Sequence, residues 1–200
     1  PTRLQRKRAR FFFNFKNDEI IIGSFQKDGQ GWGDGTIPKL IKGPDIFAEV
    51  ISKLSQEFKI KVLLTGPARG FLKKQLDQNN IEFIHHYLDD YSKLLKYYHA
   101  LDFYLITSRE EGGPMGLLES MSAGVPVAST NVGMAPDLIN SYESGLIINS
   151  LEPNLIASKL KFLIQNKKLN SIKTSARKVV KKVDWEYIAN KHMNKVYSKF

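Results

Sequence analysis

Phe103-Tyr104-Leu105-Ile106 runs into Thr107-Ser108-Arg109-Glu110-Glu111-Gly112-Gly113-Pro114 and then into Met115-Gly116-Leu117-Leu118-Glu119-Ser120-Met121. Four apolar residues in a row read as a buried strand, the glycine-rich polar run as a loop, and the last stretch as a helix near 116–123. The same unit recurs upstream. Ile20-Ile21-Ile22-Gly23 reads as a strand, and Ile46, Val50, Ile51 and Leu54 behind it recur at helical spacing. Lys61 to Thr65 is the next strand, ended by Gly66-Pro67, with a helix over 70–79 and a strand from Ile81 to His85. A helix from Asp89 to His99 is predicted to set Tyr91, Leu94, Leu95 and Tyr98 on one face. Downstream lie a strand from Pro126 to Ser129, a short helix from Pro136 to Ile139, a strand from Gly145 to Ile148, and closing helices around 152–165, 170–182 and 185–198.

Strand and helix in alternation predict βαβ units, hence an α/β fold: a Rossmann-like parallel sheet with helices on both faces. In such a sheet ligands bind at the carboxyl ends of the strands, beside helix N-termini. The loops after Ile22, Thr65, His85, Ile106 and Ser129 are therefore expected to share one rim.

Composition narrows the rest. Apolar residues are 42% of the 200-residue chain, enough for one ordinary core. No stretch approaches the roughly 20 apolar residues of a spanning helix, and no signal peptide is read at the start. The absence of cysteine excludes disulfides, thiolate metal sites and thiol nucleophiles, and fits a cytoplasmic protein. Thirty basic against 20 acidic residues leave a net charge of +10, which suits phosphorylated substrates, anionic lipid or other polyanions, or simply a lysine-rich solvated surface. Residues 1–18, with Arg3, Arg6, Lys7, Arg8 and Arg10 ahead of Phe11, Phe12, Phe13 and Phe15, read as a basic linker or leading helix, and 19–200 as the domain. A nucleic-acid arm is the alternative for that start, but no nucleic-acid fold follows it and no nucleic-acid partner is expected.

The chemistry concentrates in the opening stretch. Glycines allow close backbone approach, and free amides at a helix start favour an anion. Glu111 and Glu119, eight residues apart, are poorly suited to binding phosphate but suited to sugar hydroxyls, which donate to carboxylate oxygens. The plainer alternative makes Glu111 a residue favoured by the helix dipole and Glu119 merely exposed. His85 and His86 are not expected to share a metal, since neighbours on a strand point to opposite faces.

Glu111 to Glu119 resembles the E-x7-E motif of the retaining, nucleotide-sugar-dependent glycosyltransferases of family four, which have the GT-B fold. The likeness extends to Ser108, Glu111-Gly112, Gly116, Glu119-Ser120-Met121 and Ala123-Gly124-Val125-Pro126-Val127 in order and spacing, to Asp102, Gly133 and Gly145-Leu146, and to Trp185 with Tyr197, covering roughly residues 19–198. This resemblance implies the C-terminal, donor-binding half of such an enzyme. Glu119 would bind the ribose hydroxyls and Glu111 the transferred sugar, while the backbone of Gly112, Gly113, Pro114, Met115 and Gly116 would hold sugar hydroxyls and diphosphate. Lys42, in the matching Lys42-Gly43, would grip the diphosphate, so that Glu111 and Lys42 carry the catalytic work.

One departure stands out. Ser24 occupies the place of the family's arginine after the first strand, and a glycine-rich insert from Gly29 to Gly35 lengthens the loop, so Lys27 or Gln26 is expected to substitute. Gly66 lies in the loop the family sets beside the nucleotide, where Arg69 reads as a phosphate or acceptor contact or as part of a plain turn. The base is expected near His86, Tyr87 and Leu88. The resemblance further implies a UDP- or GDP-sugar as donor, no metal and no other cofactor, and an acceptor site in a missing N-terminal domain, without which the chain would transfer little. The basic surface suggests peripheral contact with an anionic membrane at its inner face. A non-catalytic nucleotide-sugar-binding module, a nucleic-acid-binding domain and a nucleotide-sugar epimerase of similar architecture remain as rival readings.

Overall fold

The computed structural model describes residues 1–141, 143–166 and 169–197. Six strands form one parallel sheet: β1 (Ile20–Ser24), β2 (Ile60–Thr65), β3 (Phe83–His86), β4 (Phe103–Ile106), β5 (Val127–Thr130) and β6 (Leu146–Ile148). Their order is β3-β2-β1-β4-β5-β6. Ile20 pairs in register with Ile60, Val62 with Phe83, Ile22 with Phe103, and Tyr104 with Val127.

Because strand side chains alternate between faces, each strand feeds two cores. Ile22, Val62, Leu64, Phe103 and Leu105 point to one face, against Ile46, Val50 and Ile51 of α2 (Pro44–Ser55) and Ile156 and Leu160 of a later helix, Pro153–Gln165. Ile21, Leu63, Tyr104 and Ile106 point to the other, against Phe13, Tyr98 and Leu117. Full burial of such side chains contributes about 1.5–3 kcal/mol each, which is why short apolar runs suffice to specify strands here.

The first helix, α1 (Arg3–Phe12), is capped by Thr2 and Gln5, whose side chains each bond the other's backbone amide. Arg6 and Arg10 reach the carboxylate of Asp102 at 2.7 and 3.1 Å, and Asp102 also accepts from the Ile21 amide at 2.9 Å. The acidic residue before β4 thus fastens the basic helix to the sheet.

Between β2 and β4 come α3 (Gly70–Gln78) and α4 (Leu94–Ala100), and two expectations shift there. The third strand begins at Phe83 rather than Ile81, because the Ile81 amide donates to Leu76 O (3.0 Å) to finish α3 behind a left-handed Asn80. The predicted helix from Asp89 is a 3-10 turn, Tyr91–Lys93, capped by Asp90, and α4 begins only at Leu94. Tyr91 and Leu95 are consequently exposed, whereas Leu94, Tyr97 and Tyr98 are buried. After β4 follow α5 (Met115–Ser122), α6 (Ala135–Leu138), α7 (Pro153–Gln165), α8 (Leu169–Val180) and α9 (Trp185–Lys195). Residue 198, the expected end of the last helix, lies outside the described residues.

Candidate functional site

The strand order reverses between β1 and β4, so the loops leaving their carboxyl ends diverge and open a crevice. The residues between them are stitched together by backbone and side-chain hydrogen bonds. Gly43 has a left-handed φ of 63°, and a Cβ there would overlap the Thr107 carbonyl. Thr107 Oγ1 donates to Gly43 O at 2.8 Å, the Arg109 amide to Ile41 O at 2.8 Å, and the Arg109 guanidinium grips both oxygens of Asp45 at 2.9 and 2.6 Å. This seam brings Lys42 and Glu111, 69 positions apart in the chain, to 2.6 Å between Nζ and Oε1.

Glu111 is held from two further directions. Ser108 Oγ donates to the same oxygen at 2.9 Å, and Gly133 (φ 50°) brings the loop after β5 so close that a Cβ would overlap the Gly112 carbonyl. With its side chain only 9% exposed, Glu111 is aimed rather than solvated. The cleft it faces encloses about 300 Å³ and is lined by Phe25, Gln26, Lys42, Met115 and Gly116 among others. Gly113 and Pro114 also line it, and Gly112 is exposed beside them. Gly116 lies against the Tyr104 hydroxyl with no room for a Cβ, and that hydroxyl accepts from the Phe25 amide at 2.9 Å. The open end of α5 therefore faces a cleft floored by aromatic rings. Three larger grooves, of about 810, 760 and 500 Å³, lie beside α8, along α1 and at the start of β3, away from the carboxyl ends of the strands.

Glu119 sits in the second turn of α5, half-buried, and accepts from the Tyr98 hydroxyl at 2.7 Å. Burial raises its carboxyl above the ordinary range. Tyr98 is a partner of Glu119 that the sequence pattern does not reveal. Its helical spacing marked it as buried, but nothing in one dimension aims a phenol at a carboxylate on another helix.

The other expected residues fall into separate places. Gln26 lines the cleft and its amide donates to Lys42 O at 3.1 Å. Lys27 instead lies with its ammonium 3.8 Å from the centre of the Trp32 ring, so of the two candidates for the missing arginine Gln26 is the one in the cleft. Ser24 does not face the cleft: it is buried, and its Oγ accepts from Arg69 at 3.0 Å. Arg69 is fully buried as well, which rules out the reading as a direct phosphate or acceptor contact. The Gly66 carbonyl meets His85 Nε2 at 2.8 Å, and burial lowers the His85 pKa. His86 and Tyr87 are exposed at the end of β3, with His86 Nδ1 2.8 Å from the Tyr97 hydroxyl, and Leu88 packs against the core.

Residues 37–179 match the family described as "Glycosyl transferases group 1". An uncharacterised glycosyltransferase of Methanocaldococcus jannaschii is 24% identical over 183 residues, covering 90% of this chain and 51% of its own length. The chain thus spans about half the length of that relative. Among solved structures, sucrose-phosphate synthase from Thermosynechococcus elongatus superposes with a TM-score of 0.78 at 20% identity, over 96% of this chain and 48% of its own. HepE of Anabaena, in complex with UDP, superposes with a TM-score of 0.77 at 16% identity, over 100% of this chain and 54% of its own. The fold is the Rossmann-like α/β fold of GT-B glycosyltransferases, and the chain belongs to the group 1 glycosyl transferases.

Proposed function

We propose that this chain binds a nucleoside diphosphate sugar in the crevice between β1 and β4 and forms the donor half of an enzyme that transfers a hexosyl group with retention of configuration. The observation that carries the reading is the Lys42–Glu111 pair, held at 2.6 Å beside the open end of α5, with Glu119 one helix turn and more beyond it. A cation and free helix amides favour a diphosphate; carboxylates favour hydroxyls. Lys42 has three donors, so it can keep Glu111 and still meet a phosphate oxygen. Glu111 would accept from a hydroxyl of the transferred sugar, and Glu119, positioned by Tyr98, from the ribose.

In transfer, the bond from the anomeric carbon to the diphosphate oxygen breaks and a new bond forms to the acceptor oxygen on the same face. The departing diphosphate takes the acceptor proton, while Lys42 and the α5 amides stabilise its growing charge. The acceptor would be supplied by the half of the protein that the relatives carry beyond the span matched here. That the Anabaena neighbour was solved with UDP supports uridine as the base.

Calorimetric titration with UDP and GDP, and then with their sugar conjugates, tests this on the chain itself. Saturable binding of one nucleotide is expected, weakened roughly ten- to a hundredfold in Glu119→Ala, since a hydrogen bond to a charged group is worth about 1.5–3 kcal/mol. Glu111→Ala is expected to weaken the sugar conjugate more than the bare nucleotide. Folded chain that binds no nucleotide at all refutes the reading, and binding without transfer beside an acceptor half favours a non-catalytic module.

A further inference from the structure

The loop after β1 carries no cation at Ser24 and holds a glycine-rich run from Gly29 to Gly35. The insert is not an open flap. The Lys39 amide donates to Asp28 O at 2.7 Å and the Gln30 amide to Ile37 O at 2.9 Å, closing the loop on itself. The Gly70 and Phe71 amides donate to Asp34 O and Gly35 O at 2.6 and 2.8 Å, closing it onto the start of α3. Gly29 and Gly35 lie against the Ala68 backbone, and Gly70 against the Asp34 carbonyl, with no space for a Cβ at any of the three.

Arg69 sits beneath this lid of backbone. Its guanidinium donates to Ser24 O (3.0 Å), Thr65 O (3.1 Å), Gln26 O and Ser24 Oγ (3.0 Å). It thereby ties together the ends of β1 and β2 and the first turn of the loop. Its counter-charge is Asp28, 3.1 Å away and equally buried, whose carboxylate oxygens meet no well-formed hydrogen-bond donor among the described residues. A buried carboxylate answered only by one guanidinium gains little for stability. What the pair does determine is shape. Arg69 holds Gln26 by its carbonyl, Gln26 holds the Lys42 carbonyl by its side-chain amide, and Lys42 meets Glu111 in the cleft.

We infer that Arg69, with Asp28 as its counter-ion, is a positioning residue for the diphosphate subsite: it supplies from inside the fold the order that a cation on the loop itself would otherwise supply by contact. It touches no ligand and acts through Gln26 and Lys42. This assignment rests on the donor-site reading proposed above.

The test compares the unaltered chain with Arg69→Lys and Gln26→Ala. Arg69→Lys keeps a charge opposite Asp28 but cannot reach four acceptors with one fork. Gln26→Ala cuts the last link at a half-exposed side chain and leaves the core intact. Amide hydrogen exchange is read at Lys39, Gly70 and Phe71, and UDP and GDP binding by calorimetry. In Arg69→Lys, exchange at those three amides is expected to rise at least tenfold while β4 and β5 keep their protection, and nucleotide affinity to fall about tenfold. Gln26→Ala is expected to weaken the nucleotide similarly without freeing the Gly70 and Phe71 amides. Unchanged exchange in Arg69→Lys overturns the tie, and faster exchange with unchanged affinity reduces Arg69 to architecture. Failure of the unaltered chain to bind either nucleotide defeats the donor-site reading, and this assignment with it.

Discussion

Two acid–base pairs lie behind the same rim and are built in opposite ways. Lys42 and Glu111 have side chains 25% and 9% exposed, meet at a cleft, and share the carboxylate with a serine hydroxyl. Arg69 and Asp28 are 0% and 1% exposed, and the guanidinium spends its donors on backbone carbonyls. The first pair has free donor capacity next to open space and can exchange partners for a ligand. The second is enclosed on every side, so neither charge can leave without disturbing the strand ends. Proximity of opposite charges therefore does not identify a pair that can meet a ligand; access to a cleft separates the two.

The largest expected difference is in folding stability. Arg69→Met strands the Asp28 charge and orphans three carbonyls, and should cost about 3–5 kcal/mol in urea unfolding. Lys42→Met, at a partly solvated pair, should cost less than about 1 kcal/mol while weakening nucleotide binding. Equal losses would erase the distinction.

A smaller effect probes the seam beneath the exposed pair. Gly43→Ala puts a Cβ at a left-handed φ and against the Thr107 carbonyl, which should cost about 1–3 kcal/mol. It should separate Lys42 from Glu111 directly, without passing through Gln26, so affinity and stability fall together. Full affinity in Gly43→Ala would show that the seam is not what aligns the pair.

The smallest effect is a pH dependence of two carboxyls. Burial pushes Asp28 up to about 6, against the pull of Arg69, and burial also raises Glu119. A carboxyl with a raised folded pKa holds its proton more tightly folded than unfolded. Its charge is therefore a cost at neutral pH, relieved as pH falls through the raised value. Unfolding measured from pH 7 to 4 should show the unaltered chain gaining on Asp28→Asn across that window. Nucleotide binding should move the other way. It should weaken as Glu119 takes up its proton above the ordinary 4.5, and Glu119→Gln should remove that slope.

Much of this was readable in one dimension. Apolar runs such as Ile20-Ile21-Ile22 and Lys61 to Thr65 report strands buried on both faces, because a parallel sheet leaves no face for water. Glu111 and Glu119 stand out because glycines and a helix start mark where a ligand can approach a backbone and because their spacing resembles a family motif, and Lys42 stands out through that resemblance alone. The readings that shifted involve capping and direction. The Asp90 cap and the Ile81 amide bond behind a left-handed Asn80 moved the starts of α4 and β3, and hydrophobic periodicity registers neither. The direction of Lys27, Ser24 and Arg69 was equally hidden, since nothing local says whether a polar side chain on a loop turns outward or beneath it.

The sequence by itself determined the layer order of the molecule and the loop-to-helix junction at which charge and glycine gather, because both follow from local pattern and backbone chemistry. Only the tertiary structure decided which polar groups meet: Lys42 with Glu111 across 69 positions, Arg69 with Asp28 beneath the insert, and Tyr98 with Glu119 between two helices. Those pairings depend on the strand order, which sets β1 beside β4 and opens the crevice between them, and strand order is fixed by packing across the whole sheet rather than by any one segment of the chain.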